Sequence, residues 1–202
     1  MLIKTIPVGQ LEENCYVVTN EATLESVVID PGDEANTILD YLESNKLKCV
    51  AIMITHGHFD HVGAVDAVAE ETDATVYMNE LDDAKRHQNN HSSYTLRDGG
   101  IYYSDGDVID AAGLSFHIIA TPGHTPGQLC LWLEAAGILF TADHVLFDIT
   151  PNITMWPNLP NALGRYLESL EKVRALPVKL ALPGHRGRGE LAPRVDALLE
   201  HH

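Results

Sequence analysis

The sequence is poor in positive charge. Its 202 residues include 13 lysines and arginines against 29 aspartates and glutamates, which gives a formal net charge of −16 at pH 7. A surface that binds phosphates needs a basic patch, and proteins of this charge repel polyanions. We therefore expect no nucleic-acid partner.

Cysteine is also scarce. The three cysteines are Cys15, Cys49 and Cys130, each in an apolar, strand-like context, and none forms a C-x-x-C pair. Isolated cysteines in such contexts are typical of buried thiols rather than of disulfides or zinc ligands. We expect three free, buried thiols.

Long hydrophobic runs are missing as well. No apolar run approaches the ~20 residues that cross a bilayer, and the first nine residues lack the apolar segment of a secretory signal. We expect a cytoplasmic protein with no membrane partner. Hydrophobic residues still make up 45% of the chain, enough for a sizeable core in one domain over residues 1–202. A further C-terminal segment, the oligomeric state and a tag origin for His201 and His202 stay open.

The stretch 54–64 concentrates side chains that bind metals. Three imidazoles and a carboxylate, His56, His58, Asp60 and His61, fall within six positions, between an apolar β-rich run and a helical pattern. On such a strand-to-helix loop, His56 and His58 can converge on one point while Asp60 and His61 aim at a second. The pattern favours two metal ions a few ångströms apart over helix capping or solvent exposure.

This stretch resembles the signature of the metallo-β-lactamase superfamily. Three later motifs match the family's motifs in the family's order, each after an apolar run: Thr121–Gly127 (TPGHTPG), Leu139–His144 (LFTADH) and Leu182–His185 (LPGH). The resemblance covers Asp30 to His185. It implies an α/β (α+β) fold, a four-layer αββα sandwich of two mixed β-sheets flanked by helices.

The resemblance also implies a dinuclear metal centre with Asp60 and Asp143 as its catalytic carboxylates. Its imidazole-rich donor set favours two Zn²⁺ ions, with iron or manganese as open alternatives. The implied ligands are His56, His58 and His124 for one metal, Asp60, His61 and His185 for the other, and Asp143 as the bridge.

The activity implied is that of a metallo-hydrolase acting on a small molecule, similar to the hydroxyacylglutathione hydrolases. A hydroxide held by two cations attacks an activated carbonyl, and a thioester is the least demanding substrate because a thiolate leaves without a proton. A lactone hydrolase, with Tyr94, Tyr102 or Tyr103 as proton donor, and a mononuclear iron persulfide dioxygenase remain alternatives. An endoribonuclease is disfavoured by the net charge.

Three residues near the motifs, Asp30, His144 and Arg186, each allow two interpretations. Asp30 is either a turn residue or a carboxylate that orients a ligand. His144 is either an outward residue without a role or a proton donor that faces the substrate. Ala142 and Arg186 stand where many relatives have glycine, and Arg186 is either a surface charge or a contact for an acidic substrate group.

Two polar loops are expected to determine substrate specificity. The segment 79–107 is rich in Asn, Asp, Ser and Gly, and the segment 146–160 is punctuated by proline and carries exposed-looking apolar residues around Trp156. His87 and His91 are interpreted as solvent-facing side chains.

Overall fold

The computed structural model describes residues 1–85 and 92–202, so the predictions for His87 and His91 lie outside the described residues. Two β-sheets form the centre of the molecule. The first sheet has six strands, in an order that is the same along the chain and in space: β1 (Leu2–Val8), β2 (Glu13–Asn20), β3 (Glu25–Ile29), β4 (Lys48–Met53), β5 (Thr75–Met78) and β6 (Ile101–Tyr102). Strands β1 to β3 pair antiparallel and β3 to β6 pair parallel, so this sheet is mixed.

The second sheet has five strands: β7 (Val108–Ala111), β8 (Leu114–Ala120), β9 (Leu129–Leu133), β10 (Ile138–Ala142) and β11 (Leu180–Pro183). Their spatial order is β11-β10-β9-β8-β7. Only β10 and β11 pair parallel, and the other neighbours are antiparallel. Strands β8, β10 and β11 therefore run in one direction, and their carboxyl ends lie at the same edge.

Helices cover the outer face of each sheet. They are α1 (Ala35–Ser44), α2 (Phe59–Val62), α3 (Val65–Thr72), α4 (Ala162–Arg174) and α5 (Leu191–His201). The apolar faces of α1 and α3 pack on the first sheet, and those of α4 and α5 pack on the second. A third core, which includes Phe116 and Phe140, fills the space between the sheets. The layers follow the order αββα, which confirms the predicted sandwich.

The central strands read as continuous apolar runs because they are buried on both faces. In β9, with the sequence LCLWL, Leu129 and Leu131 point into the core between the sheets. The alternate residues Cys130 and Trp132 point toward α4 and α5. This burial also accounts for the cysteines: all three thiols are free and buried, as predicted.

No helix in the described part of the chain is long and apolar enough to span a bilayer. The longest, α4, has 13 residues, and Asn161 caps it by accepting a hydrogen bond from Gly164 N at 3.2 Å.

Candidate metal centre

The predicted metal-binding side chains follow the carboxyl ends of strands. Strand β4 leads to His56 and His58, β8 to His124, β10 to Asp143 and β11 to His185. Because β8, β10 and β11 run in the same direction, the last three side chains reach one edge of the second sheet. The fold brings all seven predicted ligands into one cluster at this edge.

The first half-site consists of His56, His58 and His124. His58 Nδ1 lies 3.0 Å from His56 Nε2 and 2.9 Å from His124 Nε2. Three ring nitrogens that converge so closely can hold one metal ion.

The second half-site consists of Asp60, His61 and His185, the first two on α2. His185 Nε2 lies 3.3 Å from both His61 Nε2 and Asp60 Oδ2. The three groups can likewise hold one ion.

Asp143 lies between the half-sites. Its Oδ2 is 3.4 Å from His124 Nε2 and 3.5 Å from His185 Nε2. The buried Oδ1 accepts no hydrogen bond from any described residue, as expected of an oxygen reserved for a cation. A Cβ at position 184 would overlap this carboxylate, so the glycine of the LPGH motif is required by close approach.

Buried groups orient the imidazoles of the second half-site. His61 Nδ1 donates to Asp30 Oδ2 at 3.0 Å, and His185 Nδ1 donates to the carbonyl of Leu11 at 3.1 Å. Both rings therefore direct Nε2 toward the site. Asp30 also accepts hydrogen bonds from Thr55 N and Oγ1, at 2.7 and 2.6 Å. Of the two interpretations of Asp30, the carboxylate that orients a site histidine is the one observed.

The loop 146–160 supports the first half-site. His124 Nδ1 donates to the carbonyl of Asn152 at 2.8 Å, which directs Nε2 toward the cluster. Trp156 Nε1 donates to the carbonyl of His124 at 2.9 Å, and its ring centroid lies 6.4 Å from that of His58.

Asp82 is a supporting residue that sequence reasoning missed. Its buried carboxylate accepts hydrogen bonds from Gly57 N at 3.0 Å, Thr125 Oγ1 at 2.7 Å and Gly127 N at 2.7 Å. Gly57 separates two histidines of the first half-site, and Thr125 follows the third. Asp82 therefore joins the two loops that carry this half-site, although no motif marks it in the sequence.

Without a metal ion, the two half-sites differ in charge. Burial lowers the pKa of His58 to about 4, with His124 adding repulsion, and burial lowers the pKa of His56 well below its ordinary value. Burial alone would also lower the pKa of His185, but hydrogen bonds to Asp143 and Asp60 raise it to about 10.

The same contrast extends to the neighbouring groups. For His61, burial is again outweighed by carboxylates, first Asp143 and then Asp30, and its pKa is raised. Glu13, a second missed residue, has Oε1 3.7 Å from His61 Nδ1. Burial, and then repulsion by Asp30, raises the pKa of Glu13 well above its ordinary range. Burial thus lowers the pKa values of two imidazoles of the first half-site, His56 and His58, whereas carboxylates raise those of both imidazoles of the second.

Several proposed proton donors do not face the site. His144 is neither outward nor open to a substrate: it is fully buried, and its ring centroid lies 5.3 Å from that of Tyr166. The hydroxyls of Tyr94, Tyr102 and Tyr103 donate instead to Asp66, to Asp83 and to the carbonyl of Ile54. These hydroxyls therefore have partners outside the seven-residue cluster, and the lactone hydrolase stays an alternative prediction.

A pocket of about 400 Å³ opens on the cluster. Leu11, Phe59, Leu146 and Ile149 contribute apolar wall, and Arg186 contributes a positive charge. Residues 146, 149, 150 and 152 all lie in the predicted specificity loop. That loop is therefore a wall of the pocket, as the sequence indicated.

Comparison with known proteins places the chain in a family. Residues 8–185 match the model of the metallo-β-lactamase superfamily. The chain belongs to this superfamily and is a metallo-hydrolase, and its histidine and aspartate groups suit divalent metals.

Two relatives and one solved structure illustrate the similarity. The probable metallo-hydrolase YqgX of Bacillus subtilis is 31% identical over 98% of this chain and 93% of its own length. The hydroxyacylglutathione hydrolase of Bdellovibrio bacteriovorus is 30% identical over 80% of this chain, which spans 58% of that protein. The crystal structure of the BLEG-1 B3 metallo-β-lactamase superposes with a TM-score of 0.80 at 26% identity, covering 96% of this chain and 97% of that one.

Proposed function

We propose that the protein is a dinuclear metallo-hydrolase that cleaves an activated carbonyl, with a thioester as the preferred substrate class. The observation that carries the proposal is the position of Asp143, which lies within 3.5 Å of histidines from both half-sites. One carboxylate in contact with two three-residue clusters suits a bridge between two cations.

The first half-site and Asp143 would hold one cation, and the second half-site and Asp143 the other. The donor set of five imidazoles and two carboxylates favours zinc, which prefers nitrogen ligands over the all-oxygen sets of calcium or magnesium. When bound, such a pair supplies a water whose pKa falls toward ~7 and positive charge for the oxyanion that forms on the carbonyl.

The protein's own groups orient and enclose this chemistry. Asp30 and the carbonyls of Leu11 and Asn152 fix ring orientations, so that each Nε2 faces the cluster before any substrate arrives. Asp60 and Asp143 are the only carboxylates among the described residues that line the pocket. The apolar wall limits water around the carbon chain of the substrate.

Thioesters are favoured on two grounds. The relative from Bdellovibrio bacteriovorus is named for a thioester substrate. In addition, the hydroxyls of Tyr94, Tyr102 and Tyr103 donate to groups outside the cluster. A thiolate is the leaving group that least needs a proton donor.

The test is a panel of three substrates. An acyl thioester and a lactone with the same acyl carbon number are assayed on zinc-loaded protein, and a persulfide is assayed on iron-loaded protein. We expect hydrolysis of the thioester, measured as released thiol, at a kcat/KM at least ~10-fold above that for the lactone. The native thiols are buried and do not interfere with this readout. Persulfide oxidation without thioester cleavage would contradict the proposal.

A further inference from the structure

We infer that Arg186 forms a subsite for a carboxylate on the acyl portion of the substrate, so that the enzyme prefers thioesters whose acyl chain carries a negative charge. This inference rests on the proposed function, because it defines the substrate class of that same site. The juxtaposition that carries it is one arginine beside a cluster of metal-binding groups in a strongly acidic chain.

Arg186 is the only lysine or arginine among the described residues that line the pocket. It makes no ion pair within the described parts of the chain, although Asp148 is close: Asp148 Oδ2 accepts a hydrogen bond from Gly187 N at 2.9 Å. Three other basic side chains already have partners within the chain. Lys172 contacts Asp105, Arg174 is paired with Asp196, and Arg194 donates to two loop carbonyls.

The backbone at Arg186 favours a different residue. Its φ is +60°, in the left-handed region where a glycine is free of the strain that any Cβ brings. An arginine at such a position costs stability that a glycine would not. Ten described non-glycine residues have a positive φ, and Arg186 is the one among them that lines the pocket. Strained backbone of this kind is concentrated at functional sites.

The loop under Arg186 is held firmly. Asn14 Nδ2 donates to the carbonyls of Arg186 and Pro183, at 3.0 and 3.1 Å, and Tyr16 Oη donates to Pro183 at 2.7 Å. Because Gly187 N also donates a hydrogen bond to Asp148, the backbone is anchored on both sides of Arg186. A fixed pivot reduces the entropy lost when the side chain binds an anion.

The chemistry of the pocket then selects the ligand. A guanidinium binds a carboxylate through two parallel hydrogen bonds. Leu11, Leu146 and Ile149 offer apolar contact to a short carbon chain. A thioester with its carbonyl at the metal cluster and a carboxylate a few carbons away fits both features.

The experiment compares succinyl and butyryl thioesters of N-acetylcysteamine, which differ in one carboxylate, on zinc-loaded full-length protein. In wild type we expect the higher kcat/KM for the succinyl thioester. In Arg186→Gly the ratio of the two kcat/KM values should fall about 10- to 100-fold, mainly through KM, as expected when a charge-assisted hydrogen bond is lost. An unchanged ratio would overturn the inference.

Arg188→Gly is the matched control. Arg188 has the same charge, is exposed in the same loop and does not line the pocket. Its variant should keep the wild-type ratio, and an equal fall in both variants would attribute the effect to general charge rather than to Arg186.

A binding measurement separates this inference from the proposed function. Titration calorimetry on the same zinc-loaded proteins should show succinate binding at least ~10-fold more tightly than butyrate in wild type, and this difference should disappear in Arg186→Gly. If no thioester is cleaved but this pattern holds, the subsite stands and the thioester activity fails. Equal binding of the two acids to wild type would overturn the subsite, whatever the activity.

Discussion

The two half-sites hold their histidines by different means. At the second, carboxylates contact the rings directly: Asp30 accepts from His61, and Asp60 lies 3.3 Å from His185. At the first, neutral groups contact the rings: the carbonyl of Asn152 accepts from His124, and the Thr55 hydroxyl lies 3.1 Å from His56 Nδ1. Asp82 supports this half-site through Gly57 N, between His56 and His58. At the first half-site the pKa values of His56 and His58 are lowered, whereas at the second those of His61 and His185 are raised.

The centre therefore combines two ways of preparing histidines for a metal ion. The imidazoles of His56 and His58, whose pKa values are lowered, can bind a cation without losing protons first. Imidazoles paired with carboxylates attract the cation more strongly but must release protons to bind it. The bridging position of Asp143 couples the two.

Replacing the bridge should produce the largest effect. Asp143→Ala removes a ligand from both half-sites, so we expect bound metal to fall at both and turnover to drop by more than about 10³-fold. Metal content and kcat measure this, and circular dichroism checks the fold. Asp110→Ala, an exposed carboxylate on β7, is the control and should leave both unchanged. Normal metal content in Asp143→Ala would contradict the bridging role.

Asp30→Asn should weaken the second half-site more than the first. Asparagine tolerates the φ of +48° at this position, so the backbone is retained while the charge beside His61 is lost. We expect a loss of about 10- to 100-fold in affinity at the second half-site and a smaller loss at the first, because Asp30 reaches His56 only through the Thr55 hydroxyl. Competition with a chromogenic chelator resolves the two affinities. Equal weakening at both sites would show that they are not independently supported.

Asp82→Asn should weaken the first half-site by a smaller factor, about 3- to 10-fold, because Asp82 acts through backbone rather than on a ring. An amide offers one acceptor oxygen where the carboxylate offers two, so the bonds to Gly57 N and Gly127 N cannot both be kept. The same chelator titration measures it. Selective loss of the other metal instead would reverse the assignment of Asp82.

The smallest expected effect is a difference between the half-sites in the number of protons released when a metal ion binds. In the metal-free protein the pKa of His185 is raised to about 10, so this ring is protonated at pH 8, and a metal at the second half-site displaces that proton. His58, with its pKa lowered to about 4, is already neutral and releases none. Titration calorimetry in buffers of different ionisation enthalpy counts the protons. Release of about one proton or more for one metal and none for the other is expected, and equal release for both would contradict the contrast.

Local motifs made the seven predicted ligands visible, because each follows an apolar strand and turn in the sequence. The apolar run of β9 is typical of a strand buried on both faces. In contrast, β6 and β7 have two and four residues and are partly exposed, so no periodic pattern marks them. Sequence alone therefore predicted the layers better than the edges of the sheets.

The supporting residues were harder to predict because their partners are distant. Asp82 bonds to backbone groups 25 and 45 positions away, and a backbone N–H leaves no trace in sequence. Asp30 looks the same before Pro-Gly whether it merely forms a turn or also orients His61. His144 misled for the opposite reason: it adjoins Asp143 in the chain, yet its ring is buried against Tyr166 in the core.

The most direct test of two bridged half-sites is anomalous diffraction from crystals of the zinc-loaded protein. Two zinc peaks are expected, one among His56, His58 and His124 and one among Asp60, His61 and His185, with Asp143 bound to both. A single peak at full occupancy, or two peaks of which only one contacts Asp143, would contradict the dinuclear centre.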